Sequence, residues 1–280
     1  MVTQLSAVRA KVWLFHLKCS RRTRRSLSRN VTREICSYIQ DTYIFASMAG
    51  SDMELYDFKT NKTTRIRLPT EVHSGYIQVD KTTVLVVGER VLTLDIPTLQ
   101  ITPLPRLGIP RNGIGVAQVE NTVFAFGGGG NESMKVCEKS SAPFTQWTPL
   151  PSMHYARANF TPCPFKVLIY LASTFSSNHR AVESFSPHNE TFTELRVSLP
   201  APLNLASKSV TFQANGELIL LTDKSQMARW KLGSGLHFFD VTTVDRPCYS
   251  YCPPFVVTIE VYIANALGPK VEKWNLKCKI

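Results

Sequence analysis

The chain has 280 residues, 44% of them hydrophobic, with 32 lysines and arginines against 21 aspartates and glutamates. The net charge of +11 is concentrated: residues 1–40 hold nine basic side chains against Glu34 alone, and the rest of the chain is near balance, so the body of the protein offers no charge-based case for nucleic-acid binding. No apolar stretch reaches the roughly 18–20 residues of a membrane span, and seven scattered cysteines with no disulfide framework and no second ligand pair beside Cys248 and Cys252 point to reduced thiols in an intracellular protein.

Residues 1–42 read as a basic arm with a short helix. Lys11-Val-Trp-Leu-Phe-His-Leu-Lys18 is apolar in its middle and charged at both ends. Lys18 to Arg25 is a basic cluster that fits a solvated arm, a nuclear localisation signal, or a weak contact with RNA, acidic lipid or an acidic partner. Asn30 can cap a helix whose Val31, Ile35 and Ile39 share one face.

From residue 43 the chain repeats. Six short apolar runs recur about every 40 to 50 residues: Tyr43–Ala46, Val84–Val87, Val123–Phe126, Leu168–Leu171, Leu218–Leu221 and Val261–Ala264. They are rich in β-branched and aromatic residues and too short for buried helices, so each reads as a buried strand. A second strand follows each, with an apolar residue, two variable positions and a large apolar or aromatic one: Met53–Tyr56, Val91–Leu94, Met134–Cys137, Val182–Phe185, Met227–Trp230 and Val271–Trp274. A third ends in Leu-Pro at Leu68-Pro69, Leu104-Pro105, Leu150-Pro151 and Leu199-Pro200, where a residue without an amide donor suits the end of a ladder. A further short segment, often with small residues, precedes the buried run at Tyr76–Val79, Ile114–Ala117, Asn159–Pro162 and Val210–Gln213. Four short antiparallel strands per unit, repeated about six times, describe a β-propeller.

The glycines Gly127-Gly-Gly-Gly130 do not form a phosphate loop. No Gly-Lys-Ser/Thr follows, no Gly-x-Gly-x-x-Gly is present, and Glu132 stands where an anion would sit. They fit a sharp turn at the end of a buried strand.

Two loops share one spacing. Leu104-Pro-Arg-Leu-Gly-Ile-Pro-Arg111 and Leu150-Pro-Ser-Met-His-Tyr-Ala-Arg157 both read Leu-Pro-x-(Leu/Met)-x-x-x-Arg. Together with Gly127-Gly128 and Trp147 they make residues 43–280 resemble the kelch repeat family. The di-glycine is lost from the other repeats, of which the second keeps Gly88, and the arginine is lost after Leu68-Pro69 and Leu199-Pro200. The resemblance implies an all-β, kelch-type β-propeller of about six four-stranded blades, one of them incomplete, with a short basic and helical extension before it. The chain enters the first blade on its second strand and leaves the sixth on its third. The Lys11–Lys18 segment is expected to pair beside the last strand and join the two ends, or else to lie as a helix on one face.

No catalytic spacing is present: there is no Gly-x-Ser-x-Gly, no His-Glu-x-x-His, and the six histidines do not cluster. The expected function is therefore a non-enzymatic scaffold or adaptor, monomeric and cytoplasmic (nuclear through Lys18 to Arg25), that needs no cofactor or metal and binds another protein through loops on a rigid frame. The candidate contacts are Arg106, Arg111, His154, Tyr155 and Arg157. Arg111 and Arg157 carry a second reading, in which they bond neighbouring backbone carbonyls and lock blade to blade. The alternative is a propeller enzyme or small-molecule binder, which would gather carboxylates, histidines or tyrosines at the mouth of the central channel.

Overall fold

Runs such as Thr83–Val87 and Thr122–Phe126 alternate too little to leave one face wet, so they are buried on both sides and pair with their neighbours in sequence. The computed structural model describes residues 44–49, 52–57, 62–69, 74–129, 133–172, 182–195, 209–214, 217–222, 226–232, 236–243, 255–257, 260–264 and 271–275. They form an all-β arrangement of sheets. The first sheet contains β1 (Ile44–Ala49), β2 (Asp52–Asp57) and β3 (Lys62–Arg67). The second contains β4 (Gly75–Gln78), β5 (Thr83–Val87), β6 (Val91–Asp95) and β7 (Ile101–Leu104). The third contains β8 (Gly115–Val119), β9 (Thr122–Phe126), β10 (Cys137–Ser141) and β11 (Thr148–Leu150). After a short β12 (Phe160–Thr161), the fourth contains β13 (Cys163–Phe165), β14 (Leu168–Ala172), β15 (Val182–Ser186) and β16 (Thr191–Leu195). The fifth contains β17 (Ser209–Ala214), β18 (Glu217–Thr222), β19 (Gln226–Leu232) and β20 (Leu236–Thr243), with β12 added to it; the sixth contains β21 (Phe255–Val257), β22 (Glu260–Ala264) and β23 (Val271–Asn275). Within each sheet the strands are antiparallel and follow sequence order, β12 excepted.

Turn chemistry explains the tight connections. Asp80 Oδ1 accepts the backbone N–H groups of Thr82 and Thr83, each at 2.8 Å, and Asp95 Oδ1 accepts that of Thr98 at 2.9 Å. An aspartate that bonds the backbone two or three residues on folds the chain back locally.

The first four sheets pack face to face in chain order. Met53 and Leu55 of the first sheet meet Val84, Val86, Leu92 and Leu94 of the second. The other face of the second, with Leu85 and Val87, meets Val123 and Ala125 of the third. Phe124 and Phe126 point the opposite way, into Ile169, Leu171 and Phe185 of the fourth. The Phe126 and Phe185 rings meet edge to face at a centroid distance of 5.5 Å. Lys139 and Glu190 form an ion pair between the third and fourth sheets. The leading strands of the second to fifth sheets lie beside one another in turn, β4 by β8, β8 by β13, and β13 by β17.

Two segments depart from the reading of the sequence. The second strand of the third repeat is Cys137–Ser141 rather than Met134–Cys137, because Ser133–Lys135 coil into a 3-10 turn and Cys137 is the residue that pairs with Phe126. The leading strand of the fourth sheet is Cys163–Phe165 rather than Asn159–Pro162. Pro162 has no amide to donate, and Phe160-Thr161 before it pair in parallel with β17 of the next sheet instead. The basic arm, its helix and the Lys11–Lys18 segment lie outside the described residues. No helix among the described residues is long and apolar enough to cross a membrane.

Candidate recognition surface at the Leu-Pro loops

The glycine run is the hub between the two Leu-Pro loops. Gly127, Gly128 and Gly129 all have positive φ, at 59°, 85° and 83°, a region open to glycine at little cost. Gly128 N–H donates to Arg157 O at 2.8 Å, and Gly129 N–H donates to Asn112 O at 2.6 Å. A Cβ on Gly127 would stand 2.3 Å from Arg157 O. The missing side chains thus let loops from both sides close onto one turn.

Arg111 reaches that hub from the loop leaving the second sheet. Its Nε donates to Gly127 O at 2.8 Å, and its Nη1 donates to Ile109 O at 2.7 Å and to Glu138 Oε1 at 2.5 Å. The other oxygen, Glu138 Oε2, accepts Gly108 N–H at 2.7 Å. Arg111 and Glu138 are both buried. The pair satisfies charge, backbone carbonyls and a loop amide together, as a buried ion pair must if its desolvation is to be offset.

Arg157 occupies the corresponding place one sheet later. Its side chain is fully buried, with Nη2 3.8 Å from Glu183 Oε2. Glu183 Oε1 accepts Tyr155 N–H at 3.0 Å and lies 3.6 Å from His154 Nδ1. Burial pushes the Glu183 carboxyl above its usual range, opposed by Arg157 and then by His154. Burial also pulls the Arg157 guanidinium down to about 10, still charged at neutral pH. Its guanidinium carbon sits 5.9 Å from the centre of the Tyr155 ring, and Tyr155 O–H donates to Glu194 Oε1 at 2.5 Å.

Of the five candidate contacts, Arg111 and Arg157 are thus inside, bonded to neighbouring chain segments, and Arg106, His154 and Tyr155 are outside or half outside. The His154 side chain is 51% exposed. Ile109 stands among the exposed residues of the first loop at 47%. Glu138 and Glu183, the partners of the two arginines, were not candidates in the sequence. Glu183 stands at the first variable position of the expected strand Val182–Phe185; Glu138 lies in β10, which begins at Cys137, three residues after the start of the expected Met134–Cys137. Trp147 is interior, and its Nε1–H donates to Pro105 O at 3.2 Å, tying the third sheet to the first loop.

Burial pushes the Cys137 and Cys163 thiols up to about 12, so both are poor nucleophiles. Among the described residues, no three histidine, cysteine or acidic side chains stand where they could hold a metal ion. Comparison with protein families and with curated proteins finds no match to this chain.

Proposed function

We propose that this chain is a non-enzymatic interaction scaffold, a degenerate kelch-type β-propeller whose Leu-Pro loops form a recognition surface for another protein. The observation that carries this reading is the repeated lock. Arg111–Glu138 and Arg157–Glu183 each hold a loop on the next sheet through buried groups. The residues between lock and Leu-Pro, namely Arg106, Ile109, His154 and Tyr155, are thereby presented on a rigid frame. Preordered loops bind with less entropy to lose, and Arg, Tyr and an exposed aliphatic residue suit an interface anchor. Four sheets packed in sequence order, among six formed by the described residues, support a blade-by-blade arrangement. The unreactive buried thiols fit a reducing, intracellular setting, cytoplasmic or nuclear.

The test is affinity capture with the intact chain and with a surface variant, Arg106→Glu combined with Ile109→Asp. Neither side chain takes part in the buried Arg–Glu pairs. The variant is expected to keep its melting temperature and to lose the proteins captured by the wild type. Capture of the same proteins in the same amounts would remove these loops from the binding surface.

A further inference from the structure

Strand pairing fixes which amides of an outer strand face away from its sheet. Asp95 N–H donates to Gln100 O at 2.9 Å. In an antiparallel ladder every second residue aims its N–H and C=O at the neighbouring strand. Asp95, Thr93 and Val91 therefore bond toward β7, while Leu92 and the residue opposite it, Pro103, face away from each other. A proline fits an edge strand at such a place, where no ladder bond needs its amide. Pro149 holds the same place in β11, opposite Glu138, and Pro105 and Pro151 repeat the block two residues on. In the first sheet the place opposite Glu54 belongs to Arg65, whose side chain is 58% exposed. Proline and exposed charge both guard a sheet edge against an added strand.

The fourth sheet lacks the proline. Its outer strand, β16, ends the order β13-β14-β15-β16, and the place opposite Glu183 is Glu194. Phe192 and Glu194 thus turn N–H and C=O outward, and among the described residues no strand pairs with that edge. The Glu194 carboxylate is tied back to the second Leu-Pro loop, where it accepts Tyr155 O–H at 2.5 Å. Glu183 and Glu194 stand directly across from each other. Arg157 and His154 answer the first, at 3.8 and 3.6 Å. The second is met by a neutral hydroxyl, and among the described residues no lysine or arginine forms an ion pair with it. The edge beside Tyr155 therefore carries an unbalanced negative charge.

We propose that β16 is a docking edge for an extended segment of a partner protein, which joins the fourth sheet as an added strand and sets a lysine or arginine opposite Glu194. Main-chain bonds to Phe192 and Glu194 would hold the segment, and the charge opposite Glu194 would set its register. The inference rests on the reading of the Leu-Pro loops as a protein-binding surface, because the added strand runs past Tyr155 and its loop.

The experiment is amide exchange by NMR on the full chain, alone and with a capped peptide that alternates threonine and valine about a central lysine. In the free chain the amides of Phe192 and Glu194 are expected to exchange fast and those of Thr193 and Leu195 slowly. The peptide is expected to slow Phe192 and Glu194 and to leave Thr193 as it was. The same peptide with a central glutamate is expected to bind on the order of tenfold more weakly. Slow exchange of Phe192 and Glu194 in the free chain, or protection of neither by the lysine peptide, overturns the proposal. Glu194→Pro gives β16 the guard of β7 and β11. It is expected to keep its melting temperature and to lose the peptide; undiminished binding overturns the proposal. Should Arg106→Glu with Ile109→Asp lose its captured proteins while Glu194→Pro retains them, strand addition falls and the loop surface stands.

Discussion

The loops at residues 105–111 and 151–157 have the same Leu-Pro to arginine spacing and the same buried glutamate behind them, yet one lock is tight and the other loose. In the first, Arg111 Nη1 stands 2.5 Å from Glu138 Oε1; in the second, Arg157 Nη2 stands 3.8 Å from Glu183 Oε2. The difference begins three residues before the arginine. Gly108 carries no side chain, and its N–H comes within 2.7 Å of Glu138. His154 fills the matching position with a half-exposed ring 3.6 Å from Glu183, so that carboxylate is shared among a histidine, a tyrosine amide and the arginine. A lock that binds only its own loop can close fully. One that also faces a titratable surface side chain trades tightness for contact with the outside.

Phe126→Ala should do the most damage, because Phe126 is fully buried and leads directly into the glycine hub that both locks use. A loss of about 3–5 kcal/mol in denaturant unfolding is expected; near-wild-type stability would mean that β9 is not a central strand. Glu138→Gln breaks the tight lock alone. It removes the charge that balances buried Arg111, and a cost of about 3 kcal/mol is expected at neutral pH. Gly127→Ala sharpens the dependence of the second loop on the hub. Its positive φ alone carries a cost of about 1–2 kcal/mol, and the 2.3 Å approach to Arg157 O adds to it, so the Arg157 loop should become more sensitive to protease than the Arg111 loop.

The loose lock should also carry a pH signature. The folded Glu183 carboxyl is held above its usual 4.5 by burial, so the folded state keeps that proton longer than the unfolded one. Stability from the protonated form is complete below about 4.5 and is lost as pH rises through the folded value. Wild type should therefore lose stability relative to Glu183→Gln as pH rises from about 4.5, in parallel urea titrations; a gap that widens in favour of wild type would reverse the assignment. The smallest effect is expected from His154→Ala, within about 0.5 kcal/mol, as for a half-exposed side chain.

Much of the fold was legible because it depends on local pattern. Runs such as Val84–Val87 and Val123–Phe126 are strands on grounds of length and residue type, and their burial follows from having no polar face. The errors fall where local pattern had two solutions. Met134-Lys-Val-Cys137 and Cys137-Glu-Lys-Ser140 compete for the same pairing with β9, and the 3-10 turn at Ser133–Lys135 settles it in favour of the second. Phe160-Thr161 looked like a leading strand, but Pro162 stops the ladder and leaves those residues to the neighbouring sheet.

The candidate surface was half legible. The spacing picked out Arg111 and Arg157, and offered both lock and contact as their roles. Only packing decides between them, because a guanidinium at a loop end is equally able to face water or to turn inward. It turns inward where a glutamate on the next sheet, brought close by strand pairing some 26 or 27 residues later in the chain, waits with its own charge buried. Most of the strands, their order and the repeat follow from hydrophobic period and turn residues alone, β10 and β13 excepted. Which charged side chains meet, how tightly, and which remain outside to be touched was decided by the tertiary structure, because burial converts a spacing into a partner only when two sheets close over it.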